Sequence, residues 1–258
     1  MTDEFAPRLS PLDEHRFGAR TAKATLSRPD EVTSLLDFCR DREVALVIAR
    51  CPTREIAVAQ EMERHGFFLT DTLVYYRRDL AGTPIPDDAA GVAIRTAGPE
   101  EAGDVGASAA AAFRGYFGHY HADPRLDPAA ADAVYADWAA RSCASHEAAD
   151  AVLVADVDGA IGGFAVMKMV SATTGDGLLY GVAPAARGRG IYRSLLIGSL
   201  RWCLVQNAKE MITSTQITNI VPQQVWAGLG FVMSHAYYTL HKWFDSPPGR
   251  IAGGGEPN

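Results

Sequence analysis

The chain has 258 residues, of which 48% are hydrophobic and 21% are charged, and its formal net charge is −7. No apolar run approaches the roughly 18–20 residues that a membrane-spanning helix needs, and the N-terminus has no apolar signal-peptide core. The acidic balance argues against nucleic acid as a partner. We therefore expect a globular, cytoplasmic protein that handles small molecules.

The four cysteines give no sign of a metal or disulfide site. Cys39, Cys51, Cys143 and Cys203 are far apart, and no Cys-x-x-Cys pair occurs. Free cysteine usually behaves as a small hydrophobic residue. The sequence therefore predicts four core thiols and no bound metal.

Composition divides the chain into three parts. Residues 81–91 read AGTPIPDDAAG, which is typical of a linker or long turn. Residues 246–258 and the first ten residues are poor in apolar side chains, and we expect them to be loose. The predicted organisation is an N-terminal half over 1–90, a main domain over 91–245 and a flexible tail over 246–258.

Apolar patterning predicts three elements before the linker. Residues 44–49 (VALVIA) are predicted as a buried strand, 56–65 as a helix and 67–77 as a strand. Gly66 is typical of the residue that ends a helix.

The main domain is predicted to alternate strands and helices. Asp127 and Pro128 form a helix-start signal, and Asp158-Gly159 predicts a hairpin turn. The predicted strands cover 92–95, 151–157, 161–170, 176–182, 211–216 and 231–244, and the predicted helices cover 100–113, 128–142, 190–207 and 222–227.

The two halves end in the same way. Gly66-Phe67 and Gly230-Phe231 each follow a strand and a helix, and each precedes a strand that contains a Tyr-Tyr pair. This pattern predicts an internal duplication of a strand–helix–strand unit. Coincidence stays open as the alternative, because glycine after a helix is common.

Residues 178–196 (LLYGVAPAARGRGIYRSLL) predict an anion site where a strand passes into a helix. Gly188 and Gly190 let the backbone approach a ligand, and the first N–H groups of a helix have no internal partners. The helix dipole favours a phosphate there, and Arg187, Arg189 and Arg193 add charged donors. The segment lacks both the Gly-Lys-Ser/Thr of a P-loop and the third glycine of a dinucleotide fingerprint.

The pattern V-x-P-x-x-R-G-x-G-I at 182–191 resembles the coenzyme A pyrophosphate loop of the GNAT superfamily of acyl-CoA N-acyltransferases. The order of elements after the loop is also similar: a helix, a strand, Asn219, a short helix, Gly-Phe and a final strand. The resemblance covers residues 92–244. It implies a mixed α/β (α+β) GNAT fold, with a central sheet and flanking helices, preceded by a smaller, degenerate GNAT-like half.

The resemblance also implies acetyl-CoA, or another short acyl-CoA, as cosubstrate. The residues that it assigns to the coenzyme are Tyr180, Gly181, Val182, Arg187, Gly188, Arg189, Gly190, Ile191, Tyr192, Arg193 and Asn219. Two positions depart from the family pattern. Tyr192 stands where a small residue is usual, and Trp226 stands where many members have the tyrosine that protonates the leaving thiolate, so the usual general acid is not transferable.

Residues 115–125 (GYFGHYHADPR), here the acceptor segment, join two predicted helices. His119, Tyr120 and His121 are the candidate catalytic residues, because an imidazole can accept the proton of an attacking amine. The candidate substrate-binding residues are Tyr116, Phe117, Arg125 and Gln216. The open alternative is a loop packed by its own aromatic rings.

Within the superfamily, the layout is similar to the nucleotide-sugar N-acyltransferases of the dTDP-fucosamine type. The grounds are the degenerate first half, H-Y-H-A-D-P-R-L at 119–126, T-Q-x-x-N at 215–219 and AYYTLHKWF at 236–244. This resemblance implies direct acetyl transfer to the amine of a dTDP-amino sugar. The alternatives are transfer to an antibiotic or polyamine, or a non-catalytic acyl-CoA-binding module. An exposed last strand would allow a homodimer.

Overall fold

A computed structural model describes residues 5–82, 84–87 and 92–244. The chain divides into two compact units, the first made of Met1–Asp71 with Tyr237–Asn258 and the second of Thr72–Ala236. The predicted boundary between residues 90 and 91 stays a prediction. The predicted linker lies partly, and the predicted tail at 246–258 wholly, outside the described residues.

The first unit is a small sheet with helices. Its elements are β1 (Arg8–Leu9), α1 (Pro11–Phe17), β2 (Thr21–Thr25), α2 (Asp30–Asp41), β3 (Leu46–Pro52), α3 (Ile56–Arg64), the start of β4 (Phe68–Asp79) and the end of β10 (Val232–Trp243). Strands β2 and β3 are parallel, with α2 as the crossover. Their alanine and valine side chains pack with α2 and α3, around Leu35 and Met62. The expectation that the first ten residues are loose is wrong for Arg8 and Leu9, which pair with β2.

The second unit is a mixed sheet between two helical layers. Its further elements are β5 (Ile94–Thr96), α4 (Ala102–Ala112), α5 (Pro128–Ala144), β6 (Ala151–Val157), β7 (Ala160–Ser171), β8 (Thr174–Val182), α6 (Ile191–Val205), β9 (Glu210–Gln216) and α7 (Ile220–Gly228). The strand order is β10-β4-β9-β8-β7-β6-β5. One apolar cluster contains Leu196 and Trp226 of α6 and α7, and another contains Val105 and Ala139 of α4 and α5. The predicted mixed α/β fold is confirmed.

The order strand, helix, strand, helix, strand occurs twice, as β2-α2-β3-α3-β4 and as β8-α6-β9-α7-β10. The final strands are exchanged between the two repeats. Strand β4 pairs with β9 through Leu73–Asp79, and β10 pairs with β3 through Tyr237–Trp243. The expectation of an exposed last strand is wrong, because β10 lies between β3 and β4.

No helix in the described part of the chain is both long and apolar enough to cross a membrane.

Candidate active site

Strands β8 and β9 separate before they end. They pair in parallel from Thr174 with Glu210 to Gly177 with Thr213, whereas β8 continues to Val182 and β9 to Gln216. The register between β7 and β8 shifts at Leu178, and such a bulge bends its strand. Thr213 Oγ1 donates to the Gly177 carbonyl at 3.0 Å where the strands part. We call the gap between residues 178–182 and 214–216 the fork.

The corresponding place in the first unit is closed. Strand β2 pairs with β3 along its whole length, and the Leu26 N–H then donates to the Arg50 carbonyl at 2.8 Å. The Ser27 and Arg28 N–H groups donate to Glu31 Oε2 at 2.7 and 3.1 Å. Because its own carboxylate fills the N-terminus of α2, the first unit offers no comparable anion site at this position.

In the second unit, the end of α6 next to the fork is open to an anion. Residues 187–190, here the glycine loop, include Gly188 and Gly190 with φ of 76° and 77°, a conformation that other residues rarely adopt. The Ser194 N–H donates to the Gly190 carbonyl at 3.0 Å and starts the helical ladder. The N–H groups of 191–193 therefore have no partner within the helix, and they lie at its positive pole. The predicted helix start is confirmed, and its geometry suits a pyrophosphate.

The arginine side chains of this region bond to protein acceptors. Arg187 Nη2 donates to Ala112 O at 3.0 Å, Arg189 Nη1 to Asp158 Oδ2 at 2.6 Å and Arg193 Nη1 to Asp87 O at 3.3 Å. Arg187 Nε also donates to the Val182 carbonyl at 3.3 Å. The Arg187 guanidinium thus ties the glycine loop to β8 and α4. Among the described residues, the backbone N–H groups of 188–193 have no backbone acceptor, so they remain the donors available to a ligand.

The two departures from the family pattern meet in the structure. Trp226 is 1% exposed, and its Nε1–H donates to Tyr192 Oη at 3.0 Å. The Tyr192 ring lies 5.8 Å from the Tyr180 ring, centroid to centroid, in an edge-to-face arrangement. Burial raises the pKa of both phenols. An aromatic contact therefore links β8, α6 and α7 beside the fork.

Two more candidate residues lie at and after the end of β9. Asn219 Nδ2 donates to Thr215 Oγ1 at 3.0 Å, and the Asn219 carbonyl accepts from Gln223 Nε2 at 3.0 Å. Gln216 is buried, and its backbone pairs with Leu73 of β4. Asn219 thus fixes the turn into α7, and a contact with the coenzyme stays a prediction.

The acceptor segment packs largely on itself and on α5. Tyr135 stacks on Phe113 with centroids 4.4 Å apart and meets Tyr116 edge-on at 5.2 Å. Tyr120 is only 6% exposed, whereas Phe117 is 65% exposed. The structure therefore shows, for Tyr116 and Tyr120, the aromatic packing that the sequence left open. Phe117 and Arg125 are the members that face solvent.

Both ring nitrogens of His121 have partners. The Gly118 N–H donates to Nδ1 at 3.1 Å, so Nδ1 is an acceptor and the proton lies on Nε2. That Nε2 lies 3.0 Å from Asp132 Oδ1. His121 therefore joins the acceptor segment to α5 and has no remaining lone pair for a substrate. His119 is half-buried, and its ring contacts that of Tyr120 at 3.9 Å.

A carboxylate that the sequence analysis did not select lies on the sheet face away from α6. Asp176 is flanked by Gly175 and Gly177, where added Cβ atoms would meet Cys203 and Tyr180 on the α6 side. Because side chains alternate along a strand, Asp176 points to the opposite face. Burial raises its pKa from 3.8 to about 7. Among the described residues, no hydrogen bond or ion pair to this carboxylate occurs.

The register places further polar groups on the face of Asp176. Asp176 pairs with Ile212, and Ile212 pairs with Arg77. Strands lie about 4.8 Å apart, so the backbones at Asp176 and Arg77 are separated by about 10 Å. Tyr75, two residues before Arg77, stacks on His235 with centroids 4.5 Å apart. This half-open face, with Asp176 next to the fork, is a candidate acceptor groove. An acidic residue between glycines in a strand is the signal that could have found it.

Comparison with known families agrees with this geometry. The model of the acetyltransferase (GNAT) family matches residues 112–231, which include the acceptor segment, β8, the glycine loop and α7. No curated protein matches the chain.

Within the described residues, no group of three or more His, Cys, Asp or Glu side chains is placed to hold a metal ion.

Solved structures share the fold over most of the chain. A GCN5-related N-acetyltransferase from Sphaerobacter thermophilus has a TM-score of 0.65 at 16% identity, covering 92% of this chain and 76% of its own. A tandem GNAT protein from the clavulanic acid biosynthesis pathway has a TM-score of 0.58 at 17% identity, with 88% and 76% covered. A GCN5-related glucosamine N-acetyltransferase region in a fungal multi-domain enzyme has a TM-score of 0.61 at 13% identity, with 92% and 31% covered. These identities show the fold alone. The chain is therefore similar to the GNAT acetyltransferase family over residues 112–231 and shares its fold with these solved structures.

Proposed function

We propose that the second unit is an acyl-CoA-dependent N-acyltransferase, which moves an acetyl or short acyl group directly from the coenzyme to an amine. The observation that carries the proposal is the fork beside the open N-terminus of α6. The first unit has the same order of elements, but its strands are paired throughout and Glu31 fills its helix terminus.

Each part of the site has a role in this reaction. The N–H groups of the glycine loop and of the first turn of α6 hold the pyrophosphate. The unpaired edge of β8 over residues 178–182 pairs with the pantetheine arm. A backbone N–H near Gly181 or Val182 stabilises the oxyanion that forms when the amine attacks. Holding both substrates in one groove supplies much of the rate.

We propose Asp176 as the group that takes the proton from the attacking ammonium. Its pKa of about 7 suits a base that works near neutral pH, and it has no competing partner among the described residues. His119 is the alternative within the acceptor segment. His121 is less suited, because both of its ring nitrogens are engaged.

For the acceptor, we propose an amino sugar carried on a nucleotide diphosphate, such as a dTDP-amino sugar. The support is the sequence pattern of the acceptor segment, together with the solvent-facing positions of Phe117 and Arg125. An aromatic ring can stack on a base or sugar, and a guanidinium can pair with phosphate. Antibiotic amines and polyamines are the competing acceptors.

A matched pair of glycine variants tests coenzyme binding. Gly188 and Gly18 both have positive φ, 76° and 64°, and an added Cβ meets nothing within 4 Å at either position. Alanine strains each backbone similarly, but only Gly188→Ala alters the glycine loop. We expect acetyl-CoA affinity, measured by calorimetry, to fall about tenfold or more in Gly188→Ala and to stay unchanged in Gly18→Ala. A tenfold loss of affinity corresponds to about 1.4 kcal/mol of binding free energy. Equal affinities in the two variants would contradict this assignment of the loop.

Release of the coenzyme thiol then tests the reaction. A panel of dTDP-amino sugars, aminoglycosides and polyamines is offered with acetyl-CoA, and free thiol is measured. Release only with dTDP-amino sugars supports the proposed acceptor, and release only with the other amines overturns it. Coenzyme binding without release for any amine would support a non-catalytic acyl-CoA-binding module, which the tryptophan at position 226 favours.

A further inference from the structure

Acyl transfer from a thioester leaves a thiolate that must gain a proton, and the residues around the fork include several hydroxyl groups. Some of these hydroxyls donate their proton in a hydrogen bond, and others only accept a hydrogen bond on the oxygen. A hydroxyl whose proton is already donated to a buried acceptor is a poor source of a proton for a ligand.

Three of these hydroxyls give their protons to protein acceptors. Tyr180 Oη donates to Ser199 Oγ at 3.0 Å, Thr213 Oγ1 to the Gly177 carbonyl at 3.0 Å and Tyr76 Oη to Gln223 Oε1 at 3.3 Å. Ser199 in turn donates to the Leu195 carbonyl at 2.9 Å, so the Tyr180 chain ends on the backbone of α6.

The Tyr192 hydroxyl accepts a hydrogen bond instead of donating one. Its oxygen accepts from Trp226 Nε1–H at 3.0 Å, and within the described residues no acceptor for its own proton occurs. Thr215 also accepts, from Asn219, but an aliphatic hydroxyl is a far weaker acid than a phenol, which titrates near 10. Tyr192 is therefore the acidic hydroxyl beside the fork that keeps a proton to give.

The position of Tyr192 also fits this task. It is the second residue of α6, the helix that begins directly after the glycine loop. Its ring reaches Tyr180 on the unpaired part of β8, and its oxygen reaches Trp226 on α7. A coenzyme bound at the glycine loop with its arm along β8 would pass this hydroxyl.

We propose that Tyr192 protonates the departing coenzyme sulfur and that Trp226 is the positioning residue for its oxygen; this inference rests on the acyl transfer proposed above. The amine lone pair forms the C–N bond, the C–S bond breaks, and the sulfur leaves with the bonding electron pair. The Tyr192 hydroxyl proton passes to the sulfur, which gives the free thiol. The phenolate, stabilised by the Trp226 N–H, regains a proton from water, and the ammonium proton leaves through the base.

The surroundings keep Tyr192 in its donor form. Burial raises the pKa of the phenol, while the hydrogen bond from Trp226 opposes that rise by stabilising the phenolate. The hydroxyl therefore stays protonated across the neutral range, and the indole N–H is in place for the charge that develops as the proton leaves.

The test compares Tyr192→Phe with Tyr76→Phe. Both variants keep the ring and remove one hydroxyl, but only the first removes the uncommitted proton, because the Tyr76 hydroxyl donates to Gln223 Oε1. With acetyl-CoA we expect kcat to fall about 10- to 100-fold in Tyr192→Phe and by less than about threefold in Tyr76→Phe. With an aryl thioester, whose thiolate leaves without a proton, we expect Tyr192→Phe to match the wild type. Circular dichroism melting checks that both variants fold.

A second readout does not depend on turnover. The ultraviolet absorbance of the thiolate reports the pKa of the thiol of bound coenzyme A. A hydroxyl that donates to the sulfur stabilises the thiolate, so we expect this pKa to rise by about one unit in Tyr192→Phe and not in Tyr76→Phe. We expect a smaller rise in Trp226→Phe, which keeps the Tyr192 hydroxyl but loses the group that holds it.

The outcomes separate this inference from the proposed function. If the wild type turns over but Tyr192→Phe keeps its kcat with acetyl-CoA, or if the bound-thiol pKa does not change, Tyr192 is not the proton donor and acyl transfer stands. Equal losses with acetyl-CoA and the aryl thioester would show that the ring shapes the site and would also overturn the inference. Absence of both coenzyme binding and turnover in the wild type would overturn the two together.

Discussion

Replacing Asp176 by asparagine should stabilise the protein and inactivate it. Burial raises the pKa of this carboxylate from 3.8 to about 7, so the folded protein holds the proton more tightly than the unfolded chain. Stability therefore falls as the pH rises from about 4 to about 7, because the unfolded state binds fewer protons over that range. Asparagine resembles the protonated acid in shape and is neutral at every pH, so the variant escapes this loss.

The magnitude is set by the two pKa values. At about 1.4 kcal/mol for each tenfold, the rise from 3.8 to about 7 corresponds to about 4 kcal/mol of lost stability at pH 8. At pH 5 the carboxyl is still protonated in the folded protein, and the same relation gives about 2 kcal/mol. We therefore expect Asp176→Asn to exceed the wild type in free energy of unfolding by about twice as much at pH 8 as at pH 5.

Catalysis should change in the opposite direction. A general base contributes about 10²- to 10⁴-fold, so kcat/KM for thiol release should fall by at least about 100-fold in Asp176→Asn. The wild-type rate should decline below a pH of about 7, where the carboxylate is protonated. Urea unfolding at the two pH values and a thiol-release pH profile measure the two effects. Asp156→Asn, which changes a more exposed strand carboxylate paired with Arg95, is the control and should leave both pH dependences unchanged.

Two results would refute this reasoning. One is a difference in free energy of unfolding between Asp176→Asn and the wild type that is the same at pH 5 and at pH 8. Such a result would mean that the substitution acts through packing and not through the charge. The other is a pH profile in Asp176→Asn that keeps the wild-type decline below pH 7. That result would assign the decline to another group, and His119 would become the leading candidate.

Three further expectations concern single contacts. Glu31→Ala should lower the free energy of unfolding by about 2 kcal/mol, because the Ser27 and Arg28 amides lose a charged acceptor, and calorimetry should show unchanged coenzyme affinity. Asp158→Asn should release Arg189 from its ion pair and tighten coenzyme binding at low salt, an effect that added salt removes. Unchanged affinity at low salt would exclude a role for the Arg189 charge in coenzyme binding. Asp132→Asn should lower the melting temperature, because it weakens the bond from His121 to α5, and a preserved kcat would show that this histidine is structural.

The elements with strong apolar patterning were predictable from the sequence. The strand at 151–157 has the predicted bounds, and the helix predicted at 190–207 is Ile191–Val205. In both cases, local periodicity and glycine positions determine the element. The elements before residue 44 were not predicted, because their sequences show no clear apolar pattern. Strand β2 reads TAKAT and buries alanines, and Asp13, itself 1% exposed, is held by Lys23 at 2.5 Å.

The site was predictable where it depends on local backbone and not where it depends on tertiary contacts. Gly188 and Gly190 identify the helix terminus, because their conformation is a property of the loop itself. The engagement of His121 requires Asp132, eleven residues away on α5, and no local pattern indicates it. Asp176 becomes a candidate base only when the sheet buries it without a partner. Sequence reasoning therefore located the proposed coenzyme side of the site more readily than the proposed acceptor side.

The two repeats differ in the features that the proposed acyl-transfer site uses. Both contain a parallel strand pair with a crossover helix, and both end in an exchanged strand, so neither feature distinguishes them. The difference lies in the segment between the first strand and its helix. Only residues 26–29 connect β2 to α2, and Glu31 satisfies two of their amides, whereas β8 bulges at Leu178 and continues through residues 183–190 before α6 begins. The bulge opens the sheet, and the amides of the longer loop and first helical turn have no backbone acceptor among the described residues. The proposed binding of a thioester arm and its pyrophosphate uses both features. The first repeat has neither feature, because β2 is paired along its whole length and Glu31 accepts from its loop amides.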